Sequence, residues 1–331
     1  FGAYGMDGSR TPQSQMASQM AKWFNDPKQR DLLQAFPIRG EIGILYIPEA
    51  QIASQLISKE GEVDLYPKAM KGSYKGFFDN NIQADYVHIK DINKYDFLYM
   101  PFPIMIENDH AKSLMKWVEQ GGTLISESCP AYFTEGCTVG LHQPAQQFYK
   151  LFGAEQENVE FMPDLMHNFY FTMGNQKVYG GGFLQTYRCI EAQPYGRTLD
   201  GQVIAVKNQF GKGRVFLLGA CPSIYYLDYE NEENRKFFAQ ILSFGNKLAL
   251  LSSSNSGVIA RMQVKGKKRY LWILNTNKSE KSVVIRLSQT SKKFIPGPSL
   301  RDGIIRPLNG YEVQAIVPAQ DAVIFEMLPS E

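Results

Sequence analysis

Three short apolar stretches in the first half of the chain decide its fold: ADYVHI at 84–89, DFLYMP at 96–101 and TLIS at 123–126. A fourth stretch, EIGILYI at 41–47, precedes them. Each has the length and the β-branched or aromatic character of a buried strand. Helical patterns lie between them, from Pro67 to about Asn81 and from Asp109 to Val118. This alternation predicts an α/β domain with a mainly parallel sheet, helices on both of its faces and right-handed connections.

The region that follows is richer in strand. Two strand patterns, at 203–207 and 215–218, flank Gly211-Lys212-Gly213, which predicts a hairpin-like turn. A helix is expected over 231–248, where apolar residues recur at helical spacing.

Both ends of the chain differ from this middle part. Thr11 and Pro12 predict the start of a helix, and Asp26-Pro27 predicts its end. The Ser- and Asn-rich stretch 252–257 predicts a flexible linker or exposed loop. Strand patterns follow at 258–264, 269–274, 282–287, 311–317 and 322–327. We therefore expect domains at 1–36, 37–250 and 251–331, the last of them a small antiparallel β-sandwich.

The composition of the 331 residues is that of a globular protein, with 44% hydrophobic and 21% charged residues. A net charge of +2 gives no electrostatic reason to expect nucleic acid or an anionic membrane as a partner. No apolar run approaches the roughly 18 residues of a membrane span. Four cysteines are too few for a disulfide framework, and they leave the cellular compartment open. Because the chain starts at Phe1, we expect a fragment or a processed product whose targeting signal would lie upstream.

Cys129 is a candidate nucleophile because it follows a predicted strand of the α/β domain. A nucleophile elbow needs small residues around the nucleophile and the N–H of the next residue as an oxyanion donor. Here Glu127 stands where glycine is usual, and Pro130 has no N–H. We therefore expect Cys129 to be a structural thiol.

Carboxylates and histidines offer no clearer site. Glycoside hydrolysis needs two carboxyl groups about 5–9 Å apart, and the acidic residues at predicted strand ends are Glu49, Asp96, Glu127 and Asp228. Nothing in the sequence indicates that any two of them converge. None of the histidines has metal-ligand spacing to another, and nothing singles out a site of Cys129, Cys137 and His142. The sequence thus predicts no catalytic, cofactor or metal site in this chain.

Aromatic residues crowd the helix predicted at 67–81 and the residue before it: Tyr66, Tyr74, Phe77 and Phe78. A helix needs only one apolar stripe to face its core, and these rings exceed one stripe. Tyr and Phe are also enriched at subunit interfaces. The four residues are therefore candidates for core packing or for a subunit interface or pocket wall.

Several motifs occur in an order that resembles a known family. They are YPxAxxGxYxGF at 66–77, NIQADYV at 81–87, YDxLYxP at 95–101 and WVxxGGTLI at 117–125. Together they resemble the trimerisation domain of family-42 β-galactosidases, which is similar to the class I glutamine amidotransferase fold but lacks its chemistry. The segment YGxDGSxTP at 4–12 resembles the last turn and helix of that family's catalytic (β/α)8 barrel. The β-rich region after residue 252 resembles its small C-terminal domain.

The resemblance implies a flavodoxin-like or amidotransferase-like domain that forms a homotrimer. It also implies a parent protein that hydrolyses terminal β-galactosides with retention. The glutamates responsible lie on barrel strands before the segment matched by 1–36, so no residue here receives their roles. The zinc-binding cysteine cluster of some members is also missing. We therefore expect a non-catalytic oligomerisation and accessory region of a β-galactosidase-like glycoside hydrolase, without a cofactor.

Two other classes of protein stay open at this point. One is an autonomous amidotransferase-like or hydrolase-like enzyme that uses Cys129. The other is a carbohydrate-binding or scaffold protein that has no enzyme parent.

Overall fold

A nine-stranded sheet organises the middle of the chain, and two smaller antiparallel sheets lie at its ends. The structure, a computed structural model, describes residues 4–58, 64–162, 169–288, 292–301 and 303–329. These residues form two compact units. Residues 39–250 make one unit, and the residues up to Ile38 and from Leu251 onward make the other. No helix in the described ranges is long and apolar enough to cross a membrane.

The elements of the first half are, in chain order, α1 (Pro12–Asn25), α2 (Arg30–Leu33), β1 (Phe36–Pro37), β2 (Ile42–Tyr46), α3 (Pro48–Ile57), α4 (Leu65–Asp79), β3 (Ala84–His88), β4 (Phe97–Met100), α5 (Asn108–Glu119), β5 (Thr123–Ser126), α6 (Phe148–Phe152) and β6 (Ala154–Met162). Those of the second half are β7 (Tyr170–Met173), β8 (Gln176–Tyr179), β9 (Gly182–Cys189), β10 (Gln193–Arg197), β11 (Val203–Phe210), β12 (Gly213–Leu218), α7 (Pro222–Tyr229), α8 (Glu232–Gln240), β13 (Leu251–Ser253), β14 (Val258–Lys265), β15 (Lys268–Asn275), β16 (Lys281–Leu287), β17 (Phe294–Ser299), β18 (Ile304–Asn309), β19 (Glu312–Val317) and β20 (Ala322–Pro329). Short 3-10 helices lie at Pro27–Gln29, Ile89–Lys94 and Ile241–Gly245.

The large sheet is mixed, with the strand order β3-β2-β4-β5-β12-β11-β10-β7-β8. The five strands from β3 to β12 run parallel to their neighbours, whereas β11, β10, β7 and β8 are added antiparallel. The prediction of a mainly parallel sheet is therefore wrong for this second half. Two-residue turns at Gly211 (φ +57°) and Gly174 (φ +59°) join β11 to β12 and β7 to β8. Such short turns connect only antiparallel neighbours.

The four strands predicted between residues 41 and 126 are all present and form the parallel half. Strands β2, β4 and β5 are buried because both faces of this part of the sheet are covered, as their continuous apolar character indicates. Strand β3 lies at the edge of the sheet, and only its Val87 is buried. Ile44 of β2, Leu98 of β4 and Ile125 of β5 are inaccessible to solvent.

Helix α4 begins at Leu65, two residues before the predicted start at Pro67, because Asp64 caps it. The Asp64 carboxylate accepts a hydrogen bond from the Tyr66 N–H at 3.2 Å. Pro67 then lies in the first turn, where its missing N–H costs nothing. Helix α4 packs closely against α7, since a Cβ on Gly72 would lie 2.0 Å from the Ser223 carbonyl oxygen.

The unit built from the two ends of the chain contains two antiparallel sheets. Their orders are β1-β14-β15-β20-β17 and β13-β16-β19-β18. All five strands predicted after residue 257 are present. Burial alternates along β16, where Val283, Ile285 and Leu287 are buried and their neighbours are more exposed. Helix α1 begins as predicted, with the Thr11 hydroxyl accepting the Ser14 N–H at 3.2 Å.

The linker predicted at 252–257 is wrong at its start, because Ser252 and Ser253 belong to strand β13. Leu251 is buried and pairs with Leu287 of β16, which extends the sheet across the serines. The sequence also missed β17 and β18, which contain prolines such as Pro296 and Pro307. Both are edge strands of their sheets, the position at which a strand tolerates proline.

Candidate functional site

The turn that follows β5 shares one feature with a nucleophile elbow, a residue in a left-handed conformation after a parallel strand, but no helix follows it directly. Cys129 has φ +61°, a left-handed conformation that a residue with a side chain rarely adopts. Its N–H donates a hydrogen bond to the side-chain oxygen of Gln185 at 2.9 Å. The turn lies at the carboxyl end of a parallel strand, the edge at which α/β sheets carry their sites.

The environment of Cys129 opposes nucleophilic chemistry. The side chain is 1% exposed, and burial raises the pKa of its thiol to about 12. A thiol with so high a pKa stays protonated at neutral pH, and the thiolate is the reactive species. The next residue, Pro130, has no N–H to serve as an oxyanion donor. These observations support the expectation that Cys129 is structural.

Glu127, two residues earlier, is fully buried and lies at the N-terminus of α7. Its Oε1 accepts hydrogen bonds from the Tyr99 hydroxyl at 2.6 Å and the Ser223 N–H at 2.9 Å. Its Oε2 accepts a bond from the Ser223 hydroxyl at 2.6 Å. Burial raises the pKa of Glu127 to about 7, although the hydrogen bonds from Ser223 and Tyr99 oppose this rise. Glu127 therefore ties the end of β5 to the start of α7.

The other acidic residues singled out from the sequence each contact a basic partner. Asp96 pairs with Lys247 at 2.9 Å, and Asp228 pairs with Lys68 at 2.5 Å. Glu49 is buried and contacts His110 Nδ1 at 2.7 Å. With Glu127 bound to Tyr99 and Ser223, the four acids have four different sets of partners. None of these contacts joins two carboxyl groups in the arrangement that glycoside hydrolysis requires.

No metal centre is formed by the described residues, in which no three His, Cys, Asp or Glu side chains cluster as ligands. The rings of His88 and His110 are neighbours, with centroids 6.3 Å apart. His142 stacks on Tyr149 at 5.2 Å, and His167 lies outside the described residues. Cys137 is exposed whereas Cys129 is buried, so the site considered for them and His142 is not assembled.

The four aromatic candidates of the α4 region separate into two pairs. Tyr66 and Phe77 lie in the core, with exposed fractions of 1% and 0%. The Tyr66 hydroxyl accepts the Ile47 N–H at 2.7 Å, and burial raises its pKa well above the usual range. These two side chains therefore offer no surface to another subunit. Of the two roles considered for Tyr66 and Phe77, core packing is the one that their burial supports.

Tyr74 and Phe78 lie on the outer side of the same helix. The Tyr74 ring is 38% exposed and stacks on Phe78, with centroids 6.1 Å apart. The Tyr74 ring also stacks on Tyr86 of β3, with centroids 5.5 Å apart, and Tyr86 is 51% exposed. We call Tyr74, Phe78 and Tyr86 the aromatic face. It lies beside β3, an edge strand of the large sheet.

Tyr86 and Gln185 were not among the residues that the sequence singled out. Tyr86 alternates with buried Val87 on β3, and alternation of this kind indicates a strand with one open face. Gln185 holds Cys129 from 56 residues away. No local pattern reports a contact over that distance.

A nine-stranded mixed sheet in one unit and two antiparallel sheets in the other define an α/β protein with an additional β domain. Residues 40–246 match the family model described as the beta-galactosidase trimerisation domain. This match covers more than half of the chain, which therefore belongs to that family and corresponds to the C-terminal portion of family-42 β-galactosidases.

Individual relatives are distant in sequence. Beta-galactosidase BgaA of Planococcus sp. strain 'SOS Orange' is 22% identical over 269 residues, which are 78% of this chain and 39% of that protein. The beta-galactosidase of Bacillus circulans sp. alkalophilus has a TM-score of 0.74 at 19% identity, covering 96% of this chain and 45% of that one. A catalytic mutant of Gan42B, a GH42 beta-galactosidase from G. stearothermophilus, has a TM-score of 0.75 at 16% identity, with coverages of 98% and 45%. The structural likeness shows a shared fold. The chain spans about 40% of the length of the curated relatives it matches.

Proposed function

We propose that this chain is a non-catalytic oligomerisation and accessory region of a β-galactosidase-like glycoside hydrolase. The observation that carries the proposal is the match of residues 40–246 to a domain family described by trimerisation. The order of the first four parallel strands, 2-1-3-4 along the sheet, agrees with the flavodoxin-like and amidotransferase-like arrangement that we propose for this domain.

The aromatic face is the proposed surface for self-association. Tyr74 and Tyr86 expose 38% and 51% of their surface, and each stacks on a neighbouring ring of the same chain. Rings that are already held by stacking lose little conformational freedom when a second subunit covers them. We expect a closed assembly, because closed symmetry uses up all the interfaces and prevents open-ended growth. Three subunits are expected because the matching family is described by trimerisation.

The proposed parent activity is retaining hydrolysis of terminal β-galactosides by carboxylates outside this chain. The described acids at strand ends support this assignment, since Glu127 is buried under α7 and Glu49 is buried against His110. A substrate sugar has no access to carboxylates in such positions. The rival role of Cys129 as the nucleophile of an autonomous enzyme is disfavoured by its burial and its raised pKa.

Self-association is tested by light scattering across a concentration series of the chain. We expect a trimeric mass, and we expect Tyr74→Ser combined with Tyr86→Ser to raise the dissociation concentration by about tenfold or more. The matched control is Leu199→Ser, which removes a side chain that is 75% exposed in the same unit but outside the aromatic face. A monomeric mass at high protein concentration refutes the proposal. A stable dimer refutes the threefold stoichiometry alone.

The absence of hydrolytic activity is tested separately with a chromogenic β-galactoside. We expect no turnover by the purified chain, because the four described acids at strand ends each bind a different set of partners and form no carboxylate pair. Turnover that survives repeated purification and is blocked by a galactoside-competitive inhibitor contradicts the proposal.

A further inference from the structure

The turn between β18 and β19 contains the only Asn-Gly dipeptide of the 331 residues, Asn309-Gly310. Asn309 ends β18 and pairs with Glu312 at the start of β19, so Gly310 and Tyr311 form a two-residue connection. Asn309 is exposed, and glycine has no Cβ to hinder the approach of a reacting group to its backbone nitrogen. The side-chain amide of Asn309 therefore meets the next backbone nitrogen with little steric hindrance.

Two hydrogen bonds hold the side-chain amide of Asn309 over the turn. Its Oδ1 accepts the Tyr311 N–H at 2.8 Å, which closes an Asx turn around the peptide bond between Asn309 and Gly310. Its Nδ2 donates to Glu312 Oε2 at 2.8 Å. The Glu312 carboxylate is itself fixed, because Arg286 Nε donates to its other oxygen at 2.7 Å. The amide carbon is thus kept close to the backbone of the turn.

The backbone nitrogen of Gly310 is free to react. The Gly310 carbonyl accepts the Phe294 N–H at 3.0 Å, and the Tyr311 carbonyl accepts the Leu287 N–H at 2.8 Å. The Gly310 N–H, in contrast, donates no hydrogen bond to any residue that the structure describes. Loss of its proton therefore breaks no contact of the fold.

We propose that Asn309 is a site of spontaneous deamidation through a cyclic imide. The Gly310 nitrogen gives its proton to hydroxide and forms a bond to Asn309 Cγ. The Cγ–Nδ2 bond breaks, and the nitrogen leaves as ammonia after it takes a proton from water. Water then opens the imide at either carbonyl, which gives aspartate or isoaspartate. The net reaction consumes one water molecule and releases one ammonia, with no change of oxidation state.

The hydrogen bonds of the turn assist both halves of this reaction. Negative charge builds on Asn309 Oδ1 as the ring closes, and the Tyr311 N–H already points at that oxygen. The leaving nitrogen gains positive charge when it is protonated, and the Glu312 carboxylate lies beside it. The reacting atoms all belong to one turn, so the reaction does not depend on self-association or on a ligand.

Asn255 provides a matched comparison in the same unit. Its Oδ1 accepts the Gly257 N–H at 3.0 Å, so it has the same type of turn as Asn309. The residue that follows it is Ser256, whose Cβ hinders attack by the backbone nitrogen. The two asparagines therefore differ chiefly in the residue that supplies the attacking nitrogen.

The modification should weaken the pairing of β18 with β19. Aspartate at 309 replaces the N–H donor that faces Glu312 by a second carboxylate, and like charges on paired strands are destabilising. Isoaspartate also adds one carbon to the backbone at the end of β18, an edge strand. The reaction thus acts on the outermost strand of its sheet.

Peptide mapping by mass spectrometry of the whole chain, incubated at about pH 7 and about pH 9, tests the proposal. Asn309 should be converted at least about tenfold faster than Asn255 in the same digest. Conversion should be faster at the higher pH, because the attacking nitrogen must lose its proton. The product should contain both aspartate and isoaspartate, the latter detected by labelling with an isoaspartate-specific methyltransferase.

Two reciprocal variants test the role of the glycine. Gly310→Ala should slow conversion of Asn309 about tenfold, and its Cβ meets only the flexible side chain of Lys293. Ser256→Gly should accelerate conversion of Asn255 about tenfold. Circular dichroism melting confirms that each variant folds. The proposal is overturned by conversion of Asn309 no faster than Asn255, by a product that is aspartate alone, or by an unchanged rate in either folded variant.

Discussion

Replacement of Glu127 by glutamine isolates the effect of burying a carboxyl group between β5 and α7. Glutamine keeps the size of the side chain and one oxygen acceptor, but it does not titrate. Glu127 receives three hydrogen bonds, from Tyr99 and from the N–H and hydroxyl of Ser223. The two proteins should therefore differ chiefly in how their stability depends on pH.

The size of the effect follows from the pKa of Glu127, which burial raises from its usual value of 4.5 to about 7. Below the unfolded value both states are protonated, and stability is highest. As pH rises toward 7 the unfolded chain releases the proton before the folded one, so stability falls until the folded pKa is passed. Since one pKa unit corresponds to about 1.4 kcal/mol, the loss totals about 3 kcal/mol.

Urea unfolding of wild type and Glu127→Gln at about pH 5 and about pH 8 measures this loss. A background with Trp23→Phe and Trp272→Phe leaves Trp117 as the single tryptophan, which reports on residues 39–250. The stability of wild type relative to the variant should fall by about 2.5 kcal/mol from the lower to the higher pH, since the unfolded carboxyl is already largely ionised at the lower pH. Glu157→Gln, at an exposed position, should change stability by less than about 0.5 kcal/mol. A relative stability that is constant or rises with pH refutes the reasoning.

Two further predictions concern packing and the cysteines. Gly72→Ala should lower the free energy of unfolding by at least about 2 kcal/mol in urea, because its Cβ would lie 2.0 Å from the Ser223 carbonyl oxygen. Gly136→Ala, with its nearest contact at 3.9 Å, is the control, and equal stability of both variants would show that α4 and α7 are not in close contact. Iodoacetamide should label exposed Cys137 at least about 100-fold faster than Cys129. Equal labelling rates in the folded protein, measured by mass spectrometry, would contradict the burial of Cys129.

The parallel half of the large sheet was predictable from sequence because β2, β4 and β5 are buried on both faces and carry their own apolar signal, while β3 at the edge shows an alternating pattern. The antiparallel half was less predictable from sequence, since its strands are only partly buried. Its register depends on short turns such as Gly174-Asn175, a hairpin signal that the sequence analysis did not use. Strands β17 and β18 were missed because proline is evidence against a central strand and says nothing against an edge strand.

The division of the aromatic residues was also within reach of the sequence. Tyr66, Met70, Ser73 and Phe77 recur every three or four residues, and all are buried. Tyr74 and Phe78, four residues apart, lie on the neighbouring stripe. Helical spacing therefore separates the core pair from the outer pair. The partner on β3, Tyr86, is set by tertiary packing, which no spacing within α4 can report.

The turn at Cys129 shows why backbone geometry alone does not identify a nucleophile. A left-handed conformation costs a residue with a side chain roughly 1–2 kcal/mol, so neighbouring contacts must stabilise it. Here the Gln185 side chain accepts the Cys129 N–H, and Glu127 binds the turn's start to Ser223. Glu127, which stands where a nucleophile elbow usually has glycine, thus supplies hydrogen bonds that hold the turn. The bonds of Glu127 also join the end of β5 to the start of α7, and the thiol of Cys129 is buried, so this turn serves as scaffolding.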